Sequence, residues 1–291
     1  MLEVSLVIPA YNESAVIVQA VQEAEAALSG RCARYEIIVV DDGSNDGTAE
    51  KLTELSGKIP HLRVIRHRSN RGYGAALASG FRAARCPWVA FTDADCQFDL
   101  RELFHLLEQC EEGVIVVGRR VGRKDPWLRR FLSWGYNRLV RFCFGLPVRD
   151  VDCALKVYPR PILRRLLPRS PGYFVNTEML VRAFRQGWRI REVPVSHRPR
   201  AGGVSKVGLR EVPRTALTLF RFWWRDWKRR WRQQRVFHRT EQVRPGLLQV
   251  WSGRLPGPLP RTAAGPWPTL RSGYGSRHPI GPGAPPPKAA G

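Results

Sequence analysis

The chain has 291 residues, of which 43% are hydrophobic and 25% are charged, and its formal net charge is +23. This apolar content excludes a chain that is disordered throughout, because whole-chain disorder requires low hydrophobicity. No stretch approaches the roughly 18 consecutive apolar residues of a membrane span, and the first ten residues lack the features of a secretory signal. None of the six cysteines belongs to a C-x-x-C pair, which favours reduced thiols in a cytoplasmic protein.

The positive charge is concentrated after the first third of the chain. Residues 1–100 contain 10 basic and 13 acidic residues, whereas residues 211–291 contain 15 basic and 3 acidic residues. Strong basicity indicates an anionic partner, and nucleic acid, a membrane surface and a phosphorylated substrate all fit it.

The first part of the chain alternates short apolar strands with helices. This order predicts an α/β fold with a doubly wound, mostly parallel sheet flanked by helices. The predicted strands are Val4–Ile8, Glu36–Val40, Leu62–Ile65, Trp88–Thr92 and Val114–Val117. The predicted helices are Ala15–Leu28, a short helix capped by Asp46 that ends at Leu55, then Gly72–Ala84 and Leu100–Cys110.

From about residue 126 the chain becomes basic and aromatic. Its periodicity predicts helices over Trp127–Phe144 and Phe174–Arg185. Strands are expected over Val151–Tyr158 and Arg189–Val195, followed by a loop, His197–Lys206.

Residues 211–237 predict a C-terminal amphipathic helix with a tryptophan-rich face. Basic residues lie mostly off that face, a pattern typical of a helix lying in a membrane interface. A helix packed on its own domain or in an oligomer contact is the alternative. The face consists of Leu217, Phe220, Trp224, Trp227 and Trp231.

Three segments follow from these patterns: a catalytic domain over residues 1–210, the basic helix over 211–240 and a tail over 241–291. Residues 245–291 contain 11 Pro and 9 Gly, and such a composition predicts disorder.

Acidic clusters follow two of the predicted strands. Asp93 and Asp95 come after the fourth strand, and hard carboxylate oxygens suit a Mg²⁺ or Mn²⁺ ion that bridges phosphates. Gln97 can supply a further oxygen. Asp41 and Asp42 follow the second strand, where Asp42 can accept hydrogen bonds from a base or a ribose, although the Asp-Gly sequence also favours a plain turn. Ligands bind beyond the carboxyl ends of strands in such sheets.

Several motifs, in order, resemble those of the family 2 glycosyltransferases of the GT-A fold. Within that family, the chain is most similar to the dolichol-phosphate mannose synthase group, the polyprenyl-phosphate glycosyltransferases. The resemblance covers roughly residues 3–210. Its motifs are VIPAYNE (7–13), VDDGSNDGT (40–48), NRGYG (70–74), TDADCQ (92–97), VGRR (117–120), RRFLS (129–133) with Asn137, DVDCALK (150–156), Glu178, IREVP (190–194) and the loop from Arg200 to Lys206.

The chain departs from the family pattern at a few positions. Ala154 replaces the usual Gly of the D-x-x-C-G run, and Phe98-Asp99 stands where Pro-Glu is frequent. The Q-x-x-R-W motif of processive synthases is absent from the sequence, which argues against a polymerising enzyme.

The resemblance implies a role for each matching residue. Asp93 and Asp95 would be catalytic, binding the metal and diphosphate together with Gln97. The nucleoside would be held by Pro9, Tyr11, Glu13, Val40 and Asp42. The acceptor phosphate would be contacted by Arg119, Arg129, Arg130 and Ser133, and a mobile loop carrying Arg200, Ser205 and Lys206 would close over the diphosphate.

The implied reaction is an inverting transfer of a hexose from GDP-mannose or UDP-glucose to a polyprenyl phosphate such as dolichyl or undecaprenyl phosphate. The protein would then be cytoplasmic and peripheral on the inner face of the membrane. A phosphate acceptor needs no dedicated base, since its second pKa lies near ~6. Catalysis would rest on position and electrostatics.

Two other functions remain open. A family 2 enzyme acting on a glycan or protein hydroxyl would need a base, for which Asp150 and Glu178 are candidates. A basic nucleic-acid-binding protein fits the net charge and the tryptophans. However, acidic strand ends repel nucleic acid and no recognition motif occurs, so no nucleic-acid partner is expected.

Overall fold

In the computed structural model the chain is built around one seven-stranded sheet, and the structure describes residues 2–123, 126–199, 202 and 215–228. The strands are β1 (Glu3–Ala10), β2 (Arg34–Asp41), β3 (Leu62–Arg66), β4 (Trp88–Phe91), β5 (Val114–Val121), β6 (Lys156–Pro159) and β7 (Arg189–Ser196). The helices are α1 (Ile17–Leu28), α2 (Thr48–Ser56), α3 (Tyr73–Ala83), α4 (Leu103–Leu107), α5 (Trp127–Phe144), α6 (Arg160–Leu166) and α7 (Val175–Arg185), followed by a helix over 215–228.

The strand order is β3-β2-β1-β4-β6-β5-β7. The pairs β1–β2, β2–β3, β1–β4 and β5–β7 are parallel, whereas β6 is antiparallel to both β4 and β5. Six strands therefore run in one direction. Their carboxyl ends, together with the amino end of β6, lie along the same edge of the sheet.

The strands are apolar because helices cover both faces of a parallel sheet. The central strands consist almost entirely of buried residues, and α1, α3 and α4 contribute their apolar sides to the same core. Thus the sheet is rigid where it is central, and the polar residues that follow the strands are carried on a fixed frame.

Most predicted elements are present, with three differences. The strand predicted over Val151–Tyr158 begins only at Lys156, because backbone groups before it bond to side chains: the Val151 N–H donates to Asn137, and the Cys153 carbonyl accepts from Lys156. The helix expected over 100–110 is a single 3₁₀ turn followed by α4, which ends at Leu107. Helix α6 was not predicted.

The helix over 215–228 packs its inner side on the domain. The Phe222 ring lies edge-on to Phe144 of α5 and to Phe174 beside α7, with centroids 5.7 and 5.3 Å apart. Arg185 pairs with Asp226 at 3.1 Å. In the described ranges no helix is both long and apolar enough to cross a bilayer. The predicted tail, 241–291, lies outside the described residues.

Candidate active site

The loops after β1 and β2 are joined side by side at the carboxyl edge of the sheet. The Asn12 N–H donates to Ser44 Oγ at 2.9 Å, and the Glu13 N–H donates to Thr48 Oγ1 at the same distance. Asn12 has a φ of +50°, in the left-handed region that non-glycine residues rarely adopt. Such strain persists only where the surrounding contacts hold it, and it is typical of binding loops.

The residues predicted to hold a nucleoside lie on these two strands and loops. Pro9 and Val40 are register partners at the ends of β1 and β2. Tyr11 and Glu13 follow in the β1 loop, where Glu13 is buried, and Asp42 follows β2. The Asp42 N–H donates to the Ala10 carbonyl at 2.8 Å, so the backbones of the two segments that carry these residues are adjacent.

The carboxylate of Asp42 binds the loop before α3. Oδ1 lies 2.6 Å from His67 Nδ1 and accepts from the Arg71 N–H at 3.0 Å, while Oδ2 accepts from the Gly72 N–H at 2.7 Å. His67 Nε2 in turn lies 2.9 Å from Ser79 Oγ. Asp42 therefore anchors one wall of the site. Sequence reasoning did not identify this role, since its partners lie 25 to 30 positions away.

A groove with a volume of about 330 Å³ lies beside the Asp41-Asp42 turn. Asp41 is fully buried, and its Oδ2 lies 3.4 Å from Arg66 Nε. Gly43 has a φ of +77°, and a Cβ there would lie 2.6 Å from the Ser69 backbone, so only glycine fits. The groove is lined by Gly43, Ser44, Arg66, His67 and Arg68.

Asp93 and Asp95 lie just beyond β4, next to the β1 loop in the sheet order. Tyr73, the first residue of α3, donates its hydroxyl to Asp93 Oδ1 at 2.8 Å. Asp95 is buried, and its Oδ1 accepts from the Gln97 N–H at 3.3 Å. Cys96, between Asp95 and Gln97, has a φ of +56° and is a second strained residue at this edge of the sheet.

Asp93 and Asp95 suit a divalent cation whose remaining ligands would come from a diphosphate. Within the described ranges, no three His, Cys, Asp or Glu side chains are grouped as a complete protein-only metal site. Mg²⁺ is commonly held by one or two carboxylates plus substrate phosphates rather than by a full protein cage. Asp93 and Asp95, two residues apart in the sequence at the ligand edge of the sheet, meet that requirement.

The loop after β7 is fixed against this acidic segment. The Arg198 N–H donates to the Gln97 carbonyl at 2.8 Å, and Gln97 Nε2 donates back to the Arg198 carbonyl at 3.3 Å. Gly202 packs on Val16 at the start of α1. Three residues predicted on this loop lie outside the described residues: Arg200, Ser205 and Lys206.

The predicted acceptor-phosphate residues lie on β5 and α5. Arg119 is near the carboxyl end of β5, while Arg129 and Arg130 are exposed in the first turn of α5. Ser133 Oγ accepts from Arg123 Nη1 at 2.9 Å. Arg123 is thus an additional cation in this region that sequence reasoning did not identify.

The two carboxylates considered as bases are engaged with other groups. Asp150 is held by Arg120 through two side-chain hydrogen bonds of 2.7 and 2.8 Å. Burial acts to raise the pKa of Asp150, but these hydrogen bonds and the Arg120 charge outweigh it, so the pKa is lowered. Glu178 is buried and accepts hydrogen bonds from the Ser170 N–H and from Arg182.

Asp152 behaves differently from both. Loss of solvent raises the pKa of Asp152 to about 6, against the opposing charge of Arg120 and with a further increase from Asp150. Of Asp150 and Asp152, it is Asp152 whose pKa suits it to accept a proton near neutral pH.

Large exposed hydrophobic side chains are concentrated on α5 and on the helix over 215–228. In the described part of the chain, all but one of them lie on these two helices, and Val121 at the end of β5 is the exception. On the later helix, four residues of the predicted face are exposed, namely Leu217, Phe220, Trp224 and Trp227, while Trp231 lies outside the described residues. On α5 the exposed residues are Trp127, Leu128, Phe131, Trp134, Leu139 and Phe142.

The fold and the acidic strand ends define a glycosyltransferase of the GT-A fold. Residues 5–167 match Glycosyl transferase family 2, more than half of the chain. The chain belongs to this family, as its motifs predicted.

Two relatives of this chain are named for their polyprenyl-phosphate substrates. The chain is 35% identical over 213 residues to "Undecaprenyl-phosphate 4-deoxy-4-formamido-L-arabinose transferase" from Edwardsiella ictaluri, covering 72% of this chain and 64% of the relative. It is 33% identical over 223 residues to "Dodecaprenyl-phosphate galacturonate synthase" from Rhizobium johnstonii, covering 75% and 65%. The chain thus spans slightly less than two thirds of the length of these relatives.

Solved structures with the same fold include glucosyl-3-phosphoglycerate synthase from Mycobacterium tuberculosis. Its complex with Mn²⁺, UDP and glucosyl-3-phosphoglycerate is 25% identical to this chain with a TM-score of 0.55, covering 74% of this chain and 79% of the other. Its complex with phosphoglyceric acid is also 25% identical, with a TM-score of 0.58.

Proposed function

We propose that the chain transfers a hexose, with inversion, from a nucleotide sugar to a polyprenyl phosphate. The observation that carries this proposal is the concentration of exposed aromatic residues on α5, the same helix that holds Arg129, Arg130 and Ser133. An acceptor with a charged head and a long apolar chain needs both kinds of side chain close together. The names of the undecaprenyl- and dodecaprenyl-phosphate relatives support the same acceptor class.

On the donor side, the β1 and β2 loops hold the nucleoside of GDP-mannose or UDP-glucose through Pro9, Tyr11, Glu13, Val40 and Asp42. The groove beside Asp42 is of a size to admit part of a nucleoside. Asp93, Asp95 and Gln97 hold Mg²⁺ or Mn²⁺, and the bound cation supplies positive charge for the diphosphate that leaves. The relative crystallised with Mn²⁺ and UDP supports this arrangement.

On the acceptor side, the phosphate oxygen is itself the nucleophile. A phosphate monoester is anionic at neutral pH, so its attack on the anomeric carbon requires no protein base. Asp150 and Glu178 are bound to Arg120 and Arg182, which is consistent with structural roles for both. The chain's own contribution is to bring two anions together with arginines and to align them.

The acceptor also requires contact with a membrane. The exposed faces of α5 and of residues 215–228 combine aromatic side chains with basic ones, including Arg138 near the Trp134 ring and Lys228 near the Trp224 ring. Such faces bind the interface of an anionic bilayer. We therefore place the protein on the cytoplasmic side of a membrane, as a peripheral protein docked by these two helices.

The test is to supply a short polyprenyl phosphate with a panel of GDP- and UDP-sugars and Mg²⁺ or Mn²⁺, and to detect glycolipid by mass spectrometry. Arg130→Ala is expected to raise the apparent KM for the lipid phosphate, while Arg34→Ala, an exposed arginine at the start of β2, leaves it unchanged. If no sugar of the panel reaches the lipid, the proposal is wrong.

A hydroxyl acceptor is the second candidate, and the raised pKa of Asp152 favours it. A pH profile alone does not separate the two functions, since a phosphate acceptor and a base at Asp152 both titrate near pH 6. Asp152→Asn does separate them. If the acceptor is a hydroxyl, this substitution removes the base and lowers the transfer rate at least about a hundredfold. If the acceptor is a phosphate, the transfer rate stays close to that of wild type.

A further inference from the structure

Lys156 is a buried cation at the ligand edge of the sheet. It is the first residue of β6, and its register partners are Phe91 in β4 and Val117 in β5. The side chain is completely buried, with Nζ 5.1 Å from the centre of the Phe91 ring. Asp93 follows Phe91 by two residues, so the buried ammonium lies close behind the acidic segment.

The ammonium connects to Asp93 through two polar side chains. Lys156 Nζ donates to Asn176 Oδ1 at 2.9 Å. Burial raises the pKa of the Tyr73 hydroxyl and the neighbouring Asn176 side chain acts to lower it, while the hydroxyl itself donates to Asp93 Oδ1 at 2.8 Å. The path therefore joins β6, α7 and α3 to the carboxylate after β4.

Chemistry fixes the direction of every hydrogen bond in this path. An ammonium only donates, so it takes the amide oxygen of Asn176 and leaves the Nδ2 hydrogens for Tyr73. The Tyr73 oxygen faces these hydrogens, and its hydroxyl donates to the carboxylate of Asp93, which only accepts. All donors point toward Asp93, and hydrogen bonds aligned in this way polarise one another and strengthen.

We propose that Lys156, Asn176 and Tyr73 form a positioning chain that fixes the carboxylate of Asp93 for metal binding. The inference rests on the proposed function, because it concerns the orientation of a predicted metal ligand. Holding Oδ1 by a directed hydrogen bond sets the plane of the carboxylate and so the direction of its other oxygen. Hydrogen bonds behind a ligand tune metal affinity in this way in many metal sites.

Packing alone does not require the Tyr73 hydroxyl. The ring packs against Tyr173 in a tilted arrangement with centroids 5.3 Å apart, and the adjoining Gly74 N–H donates to the Pro171 carbonyl at 2.6 Å. A phenylalanine at position 73 keeps the ring contact and the backbone bond, and it removes only the last donor of the chain. This separates a positioning role from a structural one.

The experiment compares Tyr73→Phe with wild type by calorimetry, using UDP and GDP as probes with and without Mn²⁺. We expect the affinity for nucleoside diphosphate in the presence of Mn²⁺ to fall about tenfold or more, the usual size of such effects. Metal-free binding and Tm stay as in wild type. Tyr35→Phe is the matched control, because Tyr35 makes the same kind of bond, to Glu25 at 2.7 Å, at the opposite end of the sheet.

A second variant, Asn176→Leu, cuts the chain in its middle and is expected to weaken Mn²⁺-dependent binding in the same direction. If either folded variant loses affinity for UDP and GDP equally with and without Mn²⁺, the residue has a general structural role and the inference is wrong. The inference is also wrong if Tyr73→Phe binds these nucleotides as wild type does. If wild type itself shows no Mn²⁺-dependent binding, the proposed function fails along with the inference, and the wild-type arm alone reveals this.

Discussion

Phe131 gives the most direct test of the membrane-docking helices. Its side chain is 60% exposed on α5 and stacks on Trp134 with ring centroids 6.0 Å apart. Complete burial of a Phe side chain stabilises by about 1.5–3 kcal/mol. Transfer of the exposed 60% into a bilayer interface is therefore worth about 0.9–1.8 kcal/mol, which is roughly a five- to twentyfold change in the partition coefficient.

The assay is sedimentation of Phe131→Ala with vesicles that contain anionic phosphatidylglycerol, compared with vesicles of neutral phosphatidylcholine. The variant is expected to bind anionic vesicles up to about twentyfold more weakly than wild type. Its Tm stays the same because the lost surface is already exposed. Lys58→Ala, two residues after the end of α2 and away from both helices, controls for the effect of an alanine substitution at an exposed position that has no part in membrane binding. A folded Phe131→Ala that partitions like wild type would refute the assignment of α5 to the membrane.

Three further predictions concern the site and the frame that carries it. Asp95→Asn is expected to abolish Mn²⁺-dependent binding of nucleoside diphosphates in calorimetry, and binding as in wild type would remove Asp95 from the metal site. Gly74→Ala should lower the stability to urea by about 1–3 kcal/mol, because a Cβ there would lie 2.0 Å from a backbone carbonyl oxygen. Gly57→Ala, with its nearest neighbour at 3.5 Å, should show no loss. Slight burial acts to raise the pKa of Asp46, but hydrogen bonds at the start of α2 lower it to about 2. An unfolded Asp titrates near ~3.9, so Asp46 stabilises the fold above that pH, and the Tm difference from Asp46→Asn should close between about pH 4 and pH 2.

The sheet could be predicted because its signal is local. A short apolar run followed by Gly, Pro or Asp marks a parallel strand in the sequence itself, as at Val4–Ile8 before Pro9. The reversed direction of β6 has no such signal, since a four-residue strand reads the same in either direction. That reversal places Lys156, rather than the end of β6, at the ligand edge.

The acidic strand ends could be predicted, but the contacts of their side chains could not. Asp42 was interpreted as a group that meets a base or ribose, and its additional hydrogen bonds to the loop before α3 had no signal in the sequence. Tyr73 lay within the helix predicted over Gly72–Ala84 and within the NRGYG motif, and it was given no role of its own. The one local signal for it is its position between Gly72 and Gly74, where the backbone approaches residues 170–171 closely.

The arrangement of charge follows from the acceptor that we propose. A base is needed only when the nucleophile must lose a proton, and a lipid phosphate has already lost its own. What remains is to hold two anions in contact, which demands fixed positive charge and a rigid acidic ligand set. Arg120 and Asp150 form an ion pair and neutralise one another. Lys156 instead donates to Asn176, which lies next to Tyr73, and Tyr73 donates to Asp93. Removing a single link, Tyr73, therefore bears on metal binding without disturbing the acceptor residues on α5.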